Sequence, residues 1–270
     1  MGRSNKSIDY QFVPRPIAVL MDDYPHGFFD PPHSHVRAQF VYATTGVTIL
    51  STHDASYVAP PQRAIWIPAG VEHEVRCRGR VLLRTLYIAS DAAPDLPQHC
   101  QVIEVSNLLR ELILEAGNLP IEYNLEGRDQ RIMDLILDEI RCARRIPLSV
   151  PMPINERLAR ICKAILADPS QHDALNDWAS AAAMGRRTFT RTFRKETGMS
   201  FATWRQNVRL VDALSRLATG HSVTSTALDV GYSSPSAFTA MFRRTFGVPP
   251  TQSRGSPLNV FANILRCGSS

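Results

Sequence analysis

The chain has 270 residues, of which 44% are apolar and 20% are charged. This composition is typical of a soluble globular protein, and the length is sufficient for two domains. No apolar segment approaches the roughly 20 residues that span a bilayer, and the polar start, Met1 to Lys6, lacks the apolar core of a signal peptide. We therefore expect a cytoplasmic protein that does not contact a membrane.

Positive charge is concentrated in the second half of the chain. Residues 1–150 contain 15 Lys/Arg and 18 Asp/Glu, a net charge of −3, whereas residues 151–270 contain 15 and 7, a net charge of +8. Such a basic half is typical of a domain that binds a polyanion, and the acidic half is expected to do something else. The five cysteines are scattered and form no CxxC pair, so neither a disulfide framework nor a zinc finger is predicted.

Between Ile17 and Ile88, short runs rich in β-branched and aromatic residues alternate with Gly and Pro turn formers. This spacing predicts an antiparallel all-β domain, either a barrel or a sandwich. The histidines are spaced to act together, because His33 and His35, two apart on a strand, project to one face and His73 follows a Pro-Gly turn. The three imidazoles could bind a divalent Fe, Mn, Ni, Cu or Zn ion, or line a metal-free pocket for a small molecule.

Two spaced motifs in this region carry a family resemblance. They read G-x5-H-x-H-x3-Q-x6-G and P-x-G-x2-H, and their members are Gly27, His33, His35, Gln39 and Gly46, then Pro68, Gly70 and His73. The motifs resemble those of the cupin family, in which Glu normally stands at the position of Gln39 and Asn at that of Cys77. The resemblance implies a double-sheet barrel that could hold one divalent transition metal through His33, His35, Gln39 and His73. The neutral Gln39 would weaken such a site for hard cations.

Strand alternation could also place Trp66, Arg37 and Arg84 on the lumen side of the barrel. The predicted effector pocket therefore comprises His33, His35, Gln39, Trp66 and His73. The alternative for a Trp or Arg on a strand is core packing or a solvated surface.

After Pro97 the pattern becomes helical. Ser106 is predicted to cap one amphipathic helix, and a second runs from Arg128 to Arg144. These helices could pack on the barrel or form an antiparallel interface, and a homodimer through them is our prediction. The predicted organisation is a barrel over 1–98, a helical connector and dimerisation segment over 99–146, a Pro-rich linker over 147–153 and a basic all-α domain over 154–270.

Two similar blocks mark the basic domain, one from Phe189 to Lys195 and the other from Phe238 to Arg244, each followed by a turn glycine, Gly198 or Gly247. They predict two helix-turn-helix units with second helices over 186–196 and 234–246, joined by a central helix over 201–218. Asn155 is predicted to cap a preceding helix and Asp173 the first helix of the first unit. In that unit Arg187 and Arg191 would read bases, and Arg186, Arg194 and Lys195 would contact phosphates.

Residues 155–254 resemble the DNA-binding domain of the AraC/XylS family, notably in Ala227-Leu-Asp-Val-Gly-Tyr-Ser-Ser-Pro-Ser-Ala-Phe238 and Phe242-Arg-Arg-Thr-Phe-Gly-Val-Pro-Pro250. The resemblance implies two units that enter successive major grooves about 34 Å apart. The matching base-contact positions are Arg187, Thr190, Arg191, Ser234, Ser236, Ala237 and Ala240. The second unit has few base-reading side chains, so we expect it to contribute phosphate contacts through Arg243, Arg244 and nearby serines. Thr226 replaces the usual Ile, which predicts a softer core there.

The sequence thus favours a transcription regulator over an enzyme. The barrel would sense a small molecule or a metal ion, and the basic domain would bind double-stranded promoter DNA, with RNA polymerase as a further partner to consider. The competing interpretation is a cupin enzyme with a basic appendage. Gln39 in place of a carboxylate and the lack of an acid-base pair with obvious spacing disfavour it. A metal-specific sensor that uses the three histidines directly is a third interpretation.

Overall fold

The computed structural model describes residues 6–146, 148–246 and 249–253. The chain forms two compact units, Met1–Thr52 with Tyr57–Ser149 and His53–Ser56 with Val150–Ser270. Residues 1–5, Pro147 of the predicted linker, Gly247, which was predicted to be a turn glycine, Val248 and residues 254–270 lie outside the described residues. No helix in the described ranges combines the length and the apolarity that crossing a bilayer requires.

The β-strands account for most of the first unit, as predicted. In chain order, the strands of the described residues are β1 (Ile17–Tyr24), β2 (Phe29–His33), β3 (Ala38–Ala43), β4 (Val47–Ser51), β5 (Ala55–Ala59), β6 (Arg63–Ile67), β7 (His73–Arg78), β8 (Val81–Ile88), β9 (Gln101–Glu104), β10 (Arg145–Ile146) and β11 (Ser149–Pro151). One sheet has the order β1-β8-β3-β6-β9-β10, and in the second sheet β5, β4, β7 and β2 lie side by side. The predicted all-β domain with two sheets is confirmed.

The predicted boundaries of the connector and the linker are wrong in detail. The segment 99–146 is not wholly helical, because β9 pairs antiparallel with β6 and β10 pairs with β9. The physical reason is that Val102 and Ile103, 1% and 2% exposed, are β-branched and are buried on opposite faces of the sheet. Strand β11 likewise occupies part of the predicted linker.

The two helices of the first unit pack on the outer face of the larger sheet. They are α1 (Asn107–Asn118), capped by the Ser106 hydroxyl, which accepts from the Leu109 amide at 3.0 Å, and α2 (Arg128–Cys142). Their apolar stripes join one core with alternate residues of the strands beneath, including Phe40, Tyr42 and Leu86. Packing within the chain, one of the two roles expected for these helices, is therefore realised.

The second unit is helical. Its helices are α3 (Glu156–Ala167), α4 (Leu175–Ala181), α5 (Arg186–Thr197), α6 (Phe201–Ala218), α7 (Val223–Asp229) and α8 (Pro235–Phe246). The predicted central helix coincides with α6, and Asn155 caps α3 as expected. The prediction that Asp173 caps α4 is wrong. The helix begins one residue later, with Ala174 as the N-cap, whose amide donates to the Asp177 carboxylate at 2.9 Å.

An aromatic cluster holds α5 against the start of α6. The ring of Phe201 lies 5.0 Å from that of Phe189 and 5.1 Å from that of Phe193, and Phe193 lies 5.8 Å from Trp204. Phe189, Phe193 and Trp204 are fully buried. In α8, Phe238, Phe242 and Phe246 form the equivalent stripe. These contacts fix which face of each second helix remains exposed.

Thr226 in α7 is fully buried, and its hydroxyl has no hydrogen-bond partner within the described residues. Because a desolvated, unpaired hydroxyl is unfavourable, we expect Thr226→Val to raise the free energy of unfolding by about 1 kcal/mol. Thr197→Val is the matched control, since the buried Thr197 hydroxyl donates to the Phe193 carbonyl at 2.8 Å. That variant should lose about 1 kcal/mol. Denaturant unfolding followed by tryptophan fluorescence measures both, and a shift of the same sign in both variants would contradict the assignment.

Candidate functional site

The three predicted histidines come together in the first unit. The His33 ring centroid lies 4.8 Å from that of His35 and 4.5 Å from that of His73, and His35 lies 5.4 Å from His73. One ligand nitrogen from each ring lies within 4.8 Å of the other two. The prediction that His33 and His35 share a strand is wrong, because β2 ends at His33. The cluster forms instead because His33 pairs with His73 between β2 and β7.

Hydrogen bonds orient two of these imidazoles. Nδ1 of His33 lies 2.7 Å from the Pro31 carbonyl oxygen, and Nδ1 of His73 lies 2.9 Å from that of Val71. Because a carbonyl can only accept, both Nδ1 atoms carry a proton, and in the neutral form of each ring the lone pair is on Nε2. This backbone support is typical of metal-ligating histidines.

The cluster also contains buried nitrogens that lack a partner. Nε2 of His35 and Nε2 of His73 make no hydrogen bond within the described residues, and the same is true of Oε1 of Gln39. Burial, followed by the neighbouring His33 and His73, lowers the pKa of His35 to about 4. Burial is also the main cause that lowers the pKa of His73. His35 is therefore neutral at pH 7, the form in which imidazole binds a metal or accepts a hydrogen bond.

Sequence reasoning missed two residues of this cluster. Tyr87 lies with its ring 5.1 Å from His35, and its hydroxyl accepts from Nε2 of Gln39 at 3.4 Å. Asp30 places Oδ2 at 3.7 Å from Nε2 of His33. Neither belongs to the spaced motifs. No local pattern marks Asp30, which lies three residues before His33, across a β-bulge between β2 and β7.

The prediction that Trp66 faces the pocket is wrong. Trp66 pairs with Phe40 across β6 and β3, both belong to the core under α1 and α2, and the indole donates to the Pro97 carbonyl at 2.7 Å. Arg84 pairs with Tyr42 and so shares that outer face. Arg37 is buried, and its guanidinium donates to the carbonyls of Gln11, Val13 and Arg15. Trp66 and Arg37 thus stabilise the fold, and none of these three side chains joins the histidines.

In the second unit, α5 presents a row of cations. Its exposed side includes Arg186, Arg187, Arg191, Arg194 and Lys195. Within the described residues none of these five forms an ion pair, so their charge is available to an external anion. Thr190 is half-buried, and its hydroxyl donates back to the carbonyls of Arg186 and Arg187.

Helix α8 presents a different surface. Ser236, Ala237 and Ala240 are exposed, followed by Arg243 and Arg244. The Ser234 hydroxyl caps the helix by accepting from the Ala237 amide at 3.2 Å, so the structure gives it a local role in addition to the predicted DNA contact. The face of α8 is therefore made of small side chains that end in a basic pair.

Comparisons with known proteins agree for both units. A family described as a helix-turn-helix domain matches residues 178–256, and one described as an AraC-like ligand binding domain matches residues 16–143. The HTH-type transcriptional regulator NimR of Escherichia coli (strain K12) is 33% identical over 220 residues, 82% of this chain and 80% of that protein. The HTH-type transcriptional activator RhaR of Mannheimia succiniciproducens is 30% identical over 254 residues, 88% of this chain and 91% of that protein.

Proposed function

The chain belongs to the AraC family of DNA-binding transcription regulators, with an N-terminal ligand-binding domain, and on this premise we propose which residues read DNA and what the domain senses. Its relatives are regulators and not enzymes. The observation that carries the DNA assignment is the exposed, unpaired row of cations on α5. On a promoter such a regulator would act on RNA polymerase, which we propose as its protein partner.

We assign base reading to α5. Arg187 and Arg191 are four apart, so they project from one side of the helix, and arginine can donate two parallel hydrogen bonds to guanine. Arg186, Arg194 and Lys195 flank them and suit the phosphates along the groove. The second unit supplies Arg243 and Arg244 beside Ser236 and Ala237, a surface that can approach DNA closely but offers few hydrogen-bonding groups to bases.

Replacing Arg187 and Arg191 by alanine should weaken binding to a duplex selected by the wild-type chain by about 1–3 kcal/mol per lost base contact. The variant should also lose preference for particular bases. Arg131→Ala, which removes an exposed cation of the first unit, is the control and should bind as wild type does. Footprinting and titration of the selected duplex measure the effect. If the double variant gives an unchanged footprint, the assignment of base contacts to these two arginines is wrong.

For the sensing domain we propose a divalent transition metal at His33, His35 and His73. The donor set fits such an ion, because the backbone directs Nε2 of His33 and His73 to act as ligands and His35 is neutral. Asp30, beside His33, supplies the negative charge that Gln39 lacks. Bound there, the metal would supply a Lewis-acidic centre to which an effector could add a donor atom. A metal-free pocket for a small molecule is the second candidate, favoured by the Tyr87–Gln39 hydrogen bond.

Purified protein exposed to Zn²⁺, Ni²⁺, Mn²⁺ or Fe²⁺ and then dialysed should retain about one ion per chain for at least one of these metals. The variant with His33→Ala and His73→Ala should retain none, whereas the control His53→Ala, which changes an exposed histidine, should behave as wild type. Elemental analysis measures the metal content of each protein. Equal metal content in wild type and the double variant would rule out the site. Loss of a thermal shift with small metabolites in the same variant, without any metal, would favour the metal-free pocket.

We further propose that the chain forms a homodimer through α1 and α2. The two helices run antiparallel, since Ser106 donates to Glu139 at 2.6 Å near one end and Arg128 donates to Glu115 at 2.6 Å near the other. Leu108 and Leu135 are 50% and 40% exposed on these helices. An apolar pair left on an amphipathic hairpin is typical of a helix-to-helix interface.

Sedimentation at micromolar concentration should show a dimer for the wild-type chain. Leu108→Glu combined with Leu135→Glu should give a monomer, because two buried carboxylates would oppose association. Leu125→Glu is the matched control, since this leucine is 49% exposed but lies in the loop between the helices. A monomeric wild-type profile would contradict the proposal.

A further inference from the structure

The second unit contains a basic cleft that none of the motifs identified. It has a volume of about 470 Å³ and lies between α6, the end of α8 and the loop before α4. Its polar lining consists of His172, Arg205, Gln206, Arg209, Tyr232 and Arg244. Every charged side chain in this lining is cationic, so the cleft is suited to an anion.

Two of the arginines are held in place without losing their charge. Arg205 donates to the Asp173 carbonyl at 3.0 Å and to that of Gln171, and Arg209 donates to the carbonyls of Pro169 and Gln171, each at 3.1 Å. Backbone carbonyls orient a guanidinium but do not neutralise it. Each guanidinium has five N–H donors, so further donors remain for an incoming group.

The two guanidinium groups are also crowded together. Burial lowers the pKa of Arg205, the neighbouring charge of Arg209 lowers it further, and Asp173 acts in the opposite direction. The Arg209 guanidinium lies 5.9 Å from the ring centroid of Tyr232. Both guanidinium groups donate to the Gln171 carbonyl, so two like charges lie close together. Neither forms an ion pair within the described residues, and an anion that binds between them would stabilise both.

Close packing fixes the wall of the cleft. Gly231, in the turn between α7 and α8, has a φ of +79°, and a Cβ there would approach the Ser170 carbonyl oxygen to 2.9 Å and the Arg209 guanidinium to 3.1 Å. Only glycine allows the turn to lie this close to the 169–171 loop. The position of the Arg209 guanidinium is therefore fixed by the backbone packing around it.

The place of Arg244 indicates which anion reaches the cleft. Arg244 lines the cleft and also belongs to the exposed face of α8, seven residues after Ala237 and four after Ala240. Residues spaced in this way share one side of a helix. When that side enters a major groove, the cleft lies at the edge of the groove, where the sugar-phosphate backbone runs.

We infer that this cleft receives a DNA backbone phosphate beside the major groove entered by α8, held by Arg205, Arg209 and Arg244. The inference rests on the proposed DNA binding and adds α6 to the contact surface. It explains how the second unit is fastened although its helix offers few groups that read bases. Contact through Arg205 and Arg209 is independent of base sequence, because every phosphate is alike.

The salt dependence of binding tests the inference. On a duplex selected by the wild-type chain, Arg209→Gln should reduce the slope of log affinity against log salt by about 0.9, the value for one phosphate contact. Base preference should stay unchanged. Lys163→Gln, which removes an exposed cation of α3, is the charge-matched control and should keep the wild-type slope.

A second pair of variants covers the case in which Arg209→Gln disturbs the fold. Gln206 lines the cleft, and Gln206→Glu adds a negative charge while the arginine hydrogen bonds stay in place. We expect roughly tenfold weaker binding for Gln206→Glu and near-wild-type binding for Gln206→Ala. Unfolding midpoints are measured beside the affinities, so that a loss of fold is recognised.

The outcomes separate the two proposals. A wild-type chain that selects no duplex would overturn the DNA assignment and this inference together. A wild-type chain that selects a duplex, with variants that bind it at the wild-type slope and affinity, would overturn only the cleft. Titration with inorganic phosphate gives the third arm. Phosphate could raise the unfolding midpoint of the wild-type chain while the variants bind DNA as the wild type does. In that case the cleft binds a free anion and the inference is wrong.

Discussion

Strand β3 is buried on both faces, and the first unit depends on this constraint. Phe40 and Tyr42 lie in the core under α1 and α2, whereas Gln39 faces Tyr87, which contacts His35. Packed interiors do not deform freely, so a shift on one face of such a strand has to be accommodated on the other. The histidine cluster and the pair of helices α1 and α2 are therefore physically connected by a single strand.

The second unit relies on one helix in a similar way. The start of α6 holds α5 through Phe201 and Trp204, and the Trp204 indole donates to the Pro151 carbonyl at 2.7 Å. Further along α6, Arg205 and Arg209 turn outward into the cleft. One helix thus carries the core of the first helix-turn-helix unit on one side and cations on another. The exposed sides of the two second helices differ, since that of α5 is rich in arginine and that of α8 consists mainly of small residues.

Much of this architecture could be predicted from local patterns. The helices of the basic half have strong apolar periods and clear caps, so α6 and α8 were predicted within one residue. Trp66 was misplaced because alternation fixes which residues share a face but not which face is covered, and the helices that cover the outer face are distant in sequence. Asp30 and the cleft were missed for a related reason. They depend on a β-bulge and on the approach of Gly231 to Ser170, neither of which has a local signal.

The close approach at Gly231 also bears on how the protein can change. A side chain at this position would displace a loop and an arginine at once, so the position tolerates almost no variation. Ser236, Ala237 and Ala240, on the exposed side of α8, have no such neighbours to disturb, and surface substitutions of this kind usually alter stability little. The turn before α8 is therefore fixed by packing, whereas the exposed side of the helix can change through a few surface substitutions without loss of the fold.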